Sequence, residues 1–372
     1  MEKPVIRPAP AIDAIEPMTP FIGPEQLMRE TGHPSLVRLG ANESAFGPSP
    51  RAVAAMAAEL EHLAWYGDPE SYDLREALAR KHGCRVEEVL VGAGIDDLMG
   101  LAVRAFVAPG GAALTTRGSY PTFNYHVNGY GGRLVYAHYH PDGSLDLDEL
   151  AALAKREGAS LIYLANPDNP SGTFVSKDEM RGFFEAIPRD AVFLLDEAYA
   201  DFVDESALLP MELEDRLIRT RTFSKAYGLA GARIGYAIAT ERVIGILEKI
   251  RLHYGVNRSA QIGALASLAD EPFRRYVVDE VARAREDYYA LARELGLGAI
   301  ESATNFVCID LGDAHRATAV MNELLVRGVW IRKPGLPPLD RYVRVSAGTP
   351  PMRDAFAAAF RAVVAAFPSV PA

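Results

Sequence analysis

Short apolar runs alternate with longer amphipathic stretches along most of the chain. The stretches from Pro50 to Leu63, Tyr72 to His82 and Asp96 to Phe106 carry apolar residues at helical spacing. The short apolar runs predict strands at Ala112 to Thr115, Arg133 to Ala137, Leu161 to Ala165, Val192 to Leu195, Ile218 to Thr222 and Gly235 to Ala239. Because helices or loops separate most of these strands, the pattern predicts an α/β fold with a large, mostly parallel sheet flanked by helices.

The pattern changes beyond about Arg258, where long helical segments run as far as Leu295. A smaller set of elements follows, with strands predicted at Phe306 to Asp310, Val329 to Arg332 and Tyr342 to Ser346, and helices at Ala314 to Val326 and Met352 to Phe367. We therefore expect a proline-rich N-terminal arm over residues 1–40, a large domain over 41–265 and a smaller α+β domain over 266–372, with the arm packed nearby.

Composition excludes several classes of protein. The 372 residues are 49% hydrophobic and 24% charged, which is typical of a folded globular chain. A formal net charge of -10 provides no basic field for nucleic acid or an anionic bilayer. Cys84 and Cys308 lie in apolar stretches, which argues against a disulfide framework or a Cys-rich metal site. With neither a secretory signal in Met1 to Pro20 nor a long apolar run, we expect a cytoplasmic location and no membrane contact.

The segment T-R-T-F-S-K-A-Y-G-L-A-G-A-R-I-G-Y, from Thr220 to Tyr236, places Lys225 among small residues between two predicted strands. A buried lysine amine has a lowered pKa and can attack an aldehyde to form a Schiff base. Ser224 and Arg233, on either side of it, could hold a phosphate. The spacing alone fits an ordinary turn with a surface lysine equally well.

Polar residues also follow two predicted strands, at the sheet edge where open α/β folds bind ligands. In V-F-L-L-D-E-A-Y, Asp196 and Tyr199 follow the strand, and a carboxylate there could pair with a protonated pyridine nitrogen or simply be solvated. In L-A-N-P-D-N-P-S-G, Asn169 lies in a rigid loop, where it could donate to a phenolate oxygen or merely form a turn.

A glycine-rich segment, V-G-A-G-I-D-D-L-M, leads into the helix that begins near Ile95. The amides of Gly92, Ala93 and Gly94 precede this helix, and amides at a helix N-terminus attract phosphate. Packing or capping explains many glycine-rich segments at the start of a helix. This motif therefore supports a phosphate site only together with the other motifs.

In this order and spacing, the four motifs resemble the fold-type I pyridoxal-phosphate aminotransferases, and the chain is most similar to the histidinol-phosphate aminotransferases. The resemblance runs from about Leu39 to the C-terminus. It implies pyridoxal 5'-phosphate as cofactor and ping-pong transfer of an amino group between an amine or amino acid and a 2-oxo acid, with glutamate and 2-oxoglutarate as one pair. It also implies a homodimer.

The resemblance implies specific roles for the residues of the cofactor site. Lys225 would form the Schiff base and move the substrate proton, and Asp196 would pair with the pyridine nitrogen. The other implied contacts are Tyr199 and Asn169 with the ring oxygen, Phe123 in Y-P-T-F stacked on the ring, and Thr222, Ser224, Arg233, Gly92, Ala93 and Gly94 around the phosphate. Tyr66, in W-Y-G-D-P, would reach the phosphate site of the neighbouring subunit.

For the substrate, the resemblance implies that Arg344 in Y-V-R-V-S-A-G-T meets the anionic end. Arg332 in W-I-R-K-P lies one predicted strand earlier and fits a site role or an ordinary surface position equally well, since a guanidinium suits carboxylate or phosphate. Asn42 and Glu43 match the family's N-x-N-E segment near the entrance. Phe21, in T-P-F-I-G-P, stands where the family commonly has a tyrosine and lacks its hydroxyl.

Further departures are N-E-S-A-F-G in place of N-E-N-P-x-G, and W-Y-G-D-P in place of R-Y-P-D-P. They leave aromatic amino acids, which Phe21, Phe123 and Tyr66 would suit, as an alternative substrate class. Decarboxylation of a phosphorylated amino acid, or elimination with cyclisation, is an alternative reaction on the same cofactor. A cofactor-sensing regulator is disfavoured, because the first 40 residues are too few and too proline-rich for a DNA-binding module.

Overall fold

The computed structural model of the chain describes residues 6–15 and 21–367. Residues 1–5 and 16–20 of the expected N-terminal arm, and residues 368–372, lie outside the described part. The strands are β1 (Val37–Arg38), β2 (Val89–Gly92), β3 (Ala112–Thr116), β4 (Arg133–Ala137), β5 (Leu161–Ala165), β6 (Val192–Asp196), β7 (Leu217–Thr222), β8 (Gly235–Ile238), β9 (Phe306–Asp310), β10 (Val329–Trp330) and β11 (Tyr342–Ser346).

The α-helices in the same part of the chain are α1 (Pro10–Asp13), α2 (Pro24–Thr31), α3 (Pro50–Ala58), α4 (Tyr72–His82), α5 (Ile95–Phe106), α6 (Thr122–Gly129), α7 (Leu147–Glu157), α8 (Lys177–Ala186), α9 (Glu241–Glu248), α10 (Arg258–Leu268), α11 (Glu271–Glu294), α12 (Ala314–Val326) and α13 (Pro350–Ala366). Within residues 6–15 and 21–367, none of the helices combines the length and apolar character needed to cross a bilayer.

A seven-stranded sheet in the order β2-β8-β7-β6-β5-β3-β4 forms the centre of the molecule. Strands β3 to β7 run parallel to one another, and β8 is antiparallel to both β2 and β7. This confirms the predicted α/β architecture with a mostly parallel sheet. Helices cover both faces, so β5 and β6 read as nearly continuous apolar runs rather than as alternating ones.

Alternate residues of β5 illustrate how both faces are buried. Ile162 and Leu164 belong to one hydrophobic cluster, and Leu161, Tyr163 and Ala165 belong to a second cluster on the opposite face. The second cluster also includes the apolar face of α5. Because β5, β6 and β7 are parallel neighbours, the loops that leave their carboxyl ends meet at one edge of the sheet.

The C-terminal elements form a smaller unit around the antiparallel pair β9 and β11, packed with α11, α12 and α13. Strand β1, at the end of the arm, pairs in parallel with β10, which brings the arm beside this unit. The expected boundary at 265/266 falls inside α10, and the chain turns only at Ala269, after that helix. The division into two domains stays a prediction.

Most predicted elements are confirmed to within one or two residues. Two differences have local causes. The first predicted helix ends at Ala58 and continues only as a 3-10 turn to His62, where apolar side chains become exposed. No predicted strand matches β2, in which only the first three residues, Val89 to Val91, are apolar and the last, Gly92, opens the glycine-rich segment.

A buried ion triad supports the carboxyl ends of β6 and β7. Glu197, directly after β6, accepts hydrogen bonds from Nε of Arg219 at 3.1 Å and from Nε of Arg221 at 2.9 Å. Arg219 and Glu197 are 0% and 2% exposed. Burial alone would raise the pKa of Glu197, but the two guanidinium charges outweigh it and lower that pKa to about 2.

We predict that Glu197→Gln destabilises the protein by about 3–5 kcal/mol, because it leaves two buried guanidinium groups without their carboxylate. The free energy of unfolding from urea titration measures this. The matched control is Glu294→Gln, which removes an exposed carboxylate from its pair with Arg361 and should have a much smaller effect. Equal effects of the two substitutions would contradict a structural role for the triad.

Candidate active site

Lys225 lies in the loop after β7, largely enclosed by protein. Its Nζ donates a hydrogen bond to the backbone carbonyl of Asn42 at 3.0 Å and lies 5.7 Å from the ring centroid of Tyr199. Burial, reinforced by the nearby charge of Arg344, lowers the pKa of the ammonium to about 8. Near neutral pH, some of the protein molecules therefore carry Lys225 as an unprotonated amine, which is the form that acts as a nucleophile or proton acceptor.

Asn42 links the amine to the phenol of Tyr199. Its backbone has a φ of 53°, a left-handed conformation that asparagine tolerates better than most residues. Its Nδ2 donates to the Tyr199 hydroxyl at 3.0 Å, while its carbonyl accepts from Lys225 and from Nδ2 of Asn305. Ser346 Oγ accepts from the Asn42 amide at 2.9 Å and fixes the segment.

Asp196, the last residue of β6, is a buried carboxylate with two protein donors. Its Oδ2 accepts from the hydroxyl of Tyr163 at 2.9 Å, and its Oδ1 accepts from the amide of Ala198 at 3.0 Å. Burial raises the pKa of Asp196 to about 7. No ion pair within the described residues involves Asp196, so the carboxylate suits a cationic ligand group.

Asn169 and Arg344 contact each other near Tyr199. Nη1 of Arg344 donates to Oδ1 of Asn169 at 2.6 Å, so the amide Nδ2 of Asn169 is the end that remains as a donor. Burial raises the pKa of the Tyr199 phenol to about 12, so this group stays a hydroxyl that can donate.

Arg332 lies beside Arg344. The two backbones form an antiparallel bridge, in which the amide of Arg344 donates to the carbonyl of Arg332 at 2.6 Å. The Arg332 guanidinium contacts the rings of Phe21 and Trp330 at 5.2 and 5.5 Å and donates to the carbonyl of Ile22 at 2.8 Å. Among the described residues, neither guanidinium has a carboxylate partner.

The residues predicted to hold a phosphate converge at the N-terminus of α5. Thr222 Oγ1 donates to Ser224 Oγ at 2.9 Å, and Arg233 pairs with Asp96 at 3.2 Å. Gly94 has a φ of 92°, and a Cβ there would lie 2.7 Å from Nη2 of Arg233. The glycine thus leaves space against the guanidinium that any side chain would fill.

Two of the amides expected to bind phosphate donate hydrogen bonds within the chain, and their contact with a phosphate stays a prediction. The amide of Ala93 donates to Oδ2 of Asp97 at 3.0 Å, and the amide of Gly94 donates to the carbonyl of Gly92 at 2.8 Å. Both amides therefore have acceptors already. The first-turn amides of Ile95 and Asp96 are the ones that helix geometry leaves without an intrahelical acceptor.

Gly92 itself has a packing role. A Cβ on Gly92 would lie 2.8 Å from the side chain of Leu98, so the glycine allows β2 to approach α5 closely. Its contact with a phosphate stays a prediction.

Two aromatic residues that the sequence assigns to cofactor contacts pack against other aromatic rings. Phe123 is 0% exposed, and its ring stacks on Tyr163 with centroids 4.9 Å apart; its contact with a cofactor ring stays a prediction. Tyr66 is 77% exposed and stacks on Tyr254 at 4.4 Å, on the outer surface of the chain.

The sequence motifs did not identify Tyr163, Tyr120 and Asn305. Tyr163 belongs to the apolar run of β5 and carried no separate signal. Tyr120 is the first residue of the Y-P-T-F motif, from which only Phe123 was assigned a role, and it donates to Asp96 at 3.0 Å. Asn305 introduces β9, and only the fold brings it to Asn42.

Comparisons with known proteins agree with this geometry. The family model for aminotransferase class I and II matches residues 34–360. The histidinol-phosphate aminotransferase of Roseiflexus castenholzii is 37% identical over 356 residues, which covers 93% of this chain and 95% of that relative. Histidinol-phosphate aminotransferase 2 of Carboxydothermus hydrogenoformans is 33% identical over 348 residues, covering 91% and 94%.

Among solved structures, the histidinol-phosphate aminotransferase of Sinorhizobium meliloti, in complex with pyridoxal 5'-phosphate, is 41% identical with a TM-score of 0.93. The match covers 97% of this chain and 98% of that one. Because the family model spans far more than half of the sequence, the chain belongs to the class I and II aminotransferase family.

Proposed function

We propose that the chain is a pyridoxal 5'-phosphate-dependent aminotransferase that takes histidinol phosphate as amino donor, with 2-oxoglutarate and glutamate as the second pair. The relatives at 37% and 41% identity support this reaction. The observation that carries the proposal is an enclosed lysine amine of lowered pKa near a buried carboxylate, neither of which has a counter-ion among the described residues. A cytoplasmic location remains a prediction from the sequence.

The residues present fit this cofactor. Lys225 offers an amine that can join an aldehyde, and Asp196 offers a carboxylate for a protonated ring nitrogen. The space that Gly94 leaves against Arg233, next to the α5 N-terminus, suits a phosphate. We propose that Thr222, Ser224, Arg233 and the amides of Gly92, Ala93 and Gly94 surround the phosphate. The first-turn amides of Ile95 and Asp96 are further donors at the same helix end.

The cofactor, when bound, supplies an electrophilic aldehyde and a ring that accepts electrons from the substrate carbon. Lys225 would hold the cofactor through its aldehyde, and its amine, when free, would accept and return the proton of the substrate Cα. The Asn42 carbonyl accepts a hydrogen bond from this amine. Asp196 would keep the ring nitrogen protonated, and Tyr199 and Asn169 would donate to the ring oxygen.

The paired guanidinium groups support a phosphorylated substrate. Arg332 and Arg344 face the same region from adjacent backbone segments, and burial together with the charge of Arg344 lowers the pKa of Arg332. Two adjacent cations without a carboxylate favour a dianion over a single carboxylate. The Phe21 ring packs over the Arg332 guanidinium and orients it. This contact takes the place of the one that a tyrosine hydroxyl at position 21 would make.

A homodimer completes the proposal. Exposed apolar side chains cluster in the segment around Tyr66, including Trp65 at 64% exposure, and Leu252 and Tyr254 lie in the segment that Tyr66 contacts. Contiguous exposed apolar surface of this kind marks an interaction site. We infer that a second copy covers it and receives Tyr66 at its phosphate site.

Lys225→Ala should abolish both the visible absorbance of the lysine-linked cofactor and all transamination, because no other amine occupies this position. Spectra and turnover of the purified variant provide the measurement. Lys249→Ala, on the exposed end of α9, is the control and should retain both. Normal turnover by Lys225→Ala would refute the assignment.

The substrate proposal predicts a higher kcat/KM for histidinol phosphate than for phenylalanine, tyrosine or aspartate. Arg332→Ala should raise the KM for histidinol phosphate by roughly 10- to 100-fold, the value of one or two hydrogen bonds to a charged group, while affecting phenylalanine little. Arg344→Ala should raise the KM for either donor more than it weakens cofactor binding.

Arg327→Ala is the control for these two variants, because its guanidinium pairs with Glu323 on the surface. A higher kcat/KM for phenylalanine than for histidinol phosphate would show that the amino donor is an aromatic amino acid instead. Release of carbon dioxide without glutamate formation would replace transamination with decarboxylation.

A mixed-dimer experiment tests Tyr66. Tyr66→Ala should lower activity by weakening cofactor phosphate binding, and Lys225→Ala should be inactive. Co-refolding the two variants should restore activity, since one site of each mixed dimer would then contain both native side chains. No gain over the Tyr66→Ala homodimer would place Tyr66 outside the partner's site.

A further inference from the structure

Tyr163 and Asp196 lie on neighbouring parallel strands and face the same side of the sheet. Tyr163 is opposite Leu194 in the register, and Ala165 is opposite Asp196. This offset lets the phenol reach along the strand, and its hydroxyl lies 2.9 Å from Oδ2 of Asp196. Both side chains are buried, so no bulk water competes for this hydrogen bond.

The position of the phenol is fixed by packing. Phe123 stacks on the Tyr163 ring with an interplanar angle of 18° and is itself completely buried. The Tyr163 ring therefore has little freedom to turn away from the carboxylate. Burial also raises the pKa of the Tyr163 phenol well above its usual value, so this hydroxyl can only donate to Asp196 and never competes with it as an anion.

The charge state of Asp196 decides whether it can hold a protonated ring nitrogen. Burial favours the neutral acid, and the carboxylate of Asp96, from α5, acts in the same direction. The Tyr163 hydroxyl, the Ala198 amide and the Lys225 amine favour the ionised form. Glu197, the next residue in the chain, is committed to its own guanidinium partners.

We propose that Tyr163 is a positioning residue that keeps Asp196 ionised and aimed at the cofactor's ring nitrogen. This inference rests on the proposed function, because it requires pyridoxal phosphate in the site. The phenol touches neither substrate nor cofactor in this assignment and acts only through Asp196. Removing the hydroxyl would raise the pKa of Asp196 further, so that more of the site would be neutral at or below neutral pH.

The test is the affinity of apo-protein for pyridoxal phosphate, measured by equilibrium dialysis from about pH 6 to about pH 9, for wild type and Tyr163→Phe. We expect Tyr163→Phe to bind roughly tenfold more weakly at the acidic end, which corresponds to about one pKa unit, and to approach wild type at the alkaline end. The loss should disappear with a cofactor analogue that carries carbon in place of the ring nitrogen.

Tyr236→Phe is the matched control. It removes another buried hydroxyl from the same sheet, one that hydrogen bonds to His82 at 2.9 Å. We expect it to leave the pH profile of cofactor binding unchanged.

Two results would overturn this inference and leave the proposed function standing. One is a Tyr163→Phe profile that matches wild type. The other is an equal loss at every pH for both the cofactor and its carbon analogue, which would mean that the phenol only supports the fold. Failure of wild type to bind pyridoxal phosphate at any pH would overturn the proposed function itself.

Discussion

The Lys225 amine and the Asp196 carboxylate are both enclosed at the carboxyl edge of the central sheet, and no hydrogen bond or ion pair joins them. Burying ionisable groups costs free energy unless a partner compensates. The chain supplies only partial compensation: a carbonyl of Asn42 for the amine, and a phenol and an amide for the carboxylate. Their pKa values therefore move towards neutrality, to about 8 and about 7, and both groups remain available to a ligand.

The fold places the Lys225 amine and the Asp196 carboxylate at one site without direct contact between them. Asp196 ends β6, and Lys225 follows β7, so adjacent parallel strands set their positions. The buried triad of Glu197, Arg219 and Arg221 holds the same two strand ends from the opposite side. In the triad one carboxylate pairs with both guanidinium groups, whereas Lys225 and Asp196 have no ion-pair partner among the described residues. This division separates the ions that stabilise the sheet from those that remain reactive.

Much of this arrangement could be predicted from the sequence because the strands are short, apolar and bounded by turn residues. The strands from β3 to β8 all fall where the apolar runs predict them, and the motifs after β5, β6 and β7 meet as parallel topology requires. Tyr163 could not be predicted, since a buried tyrosine within a strand has the same pattern as core. The hydrogen bond from the Ala93 amide to Asp97 also needed coordinates, because the glycine-rich segment does not show which side chain accepts from it.

Reduction of the cofactor-loaded protein with borohydride, followed by peptide mass spectrometry, tests the central claim most directly. A pyridoxyl adduct confined to the peptide that contains Lys225 is the predicted result, because among the described lysines this one combines a lowered pKa with the site's geometry. An adduct on other lysines only, or no adduct on protein saturated with pyridoxal phosphate, would contradict it.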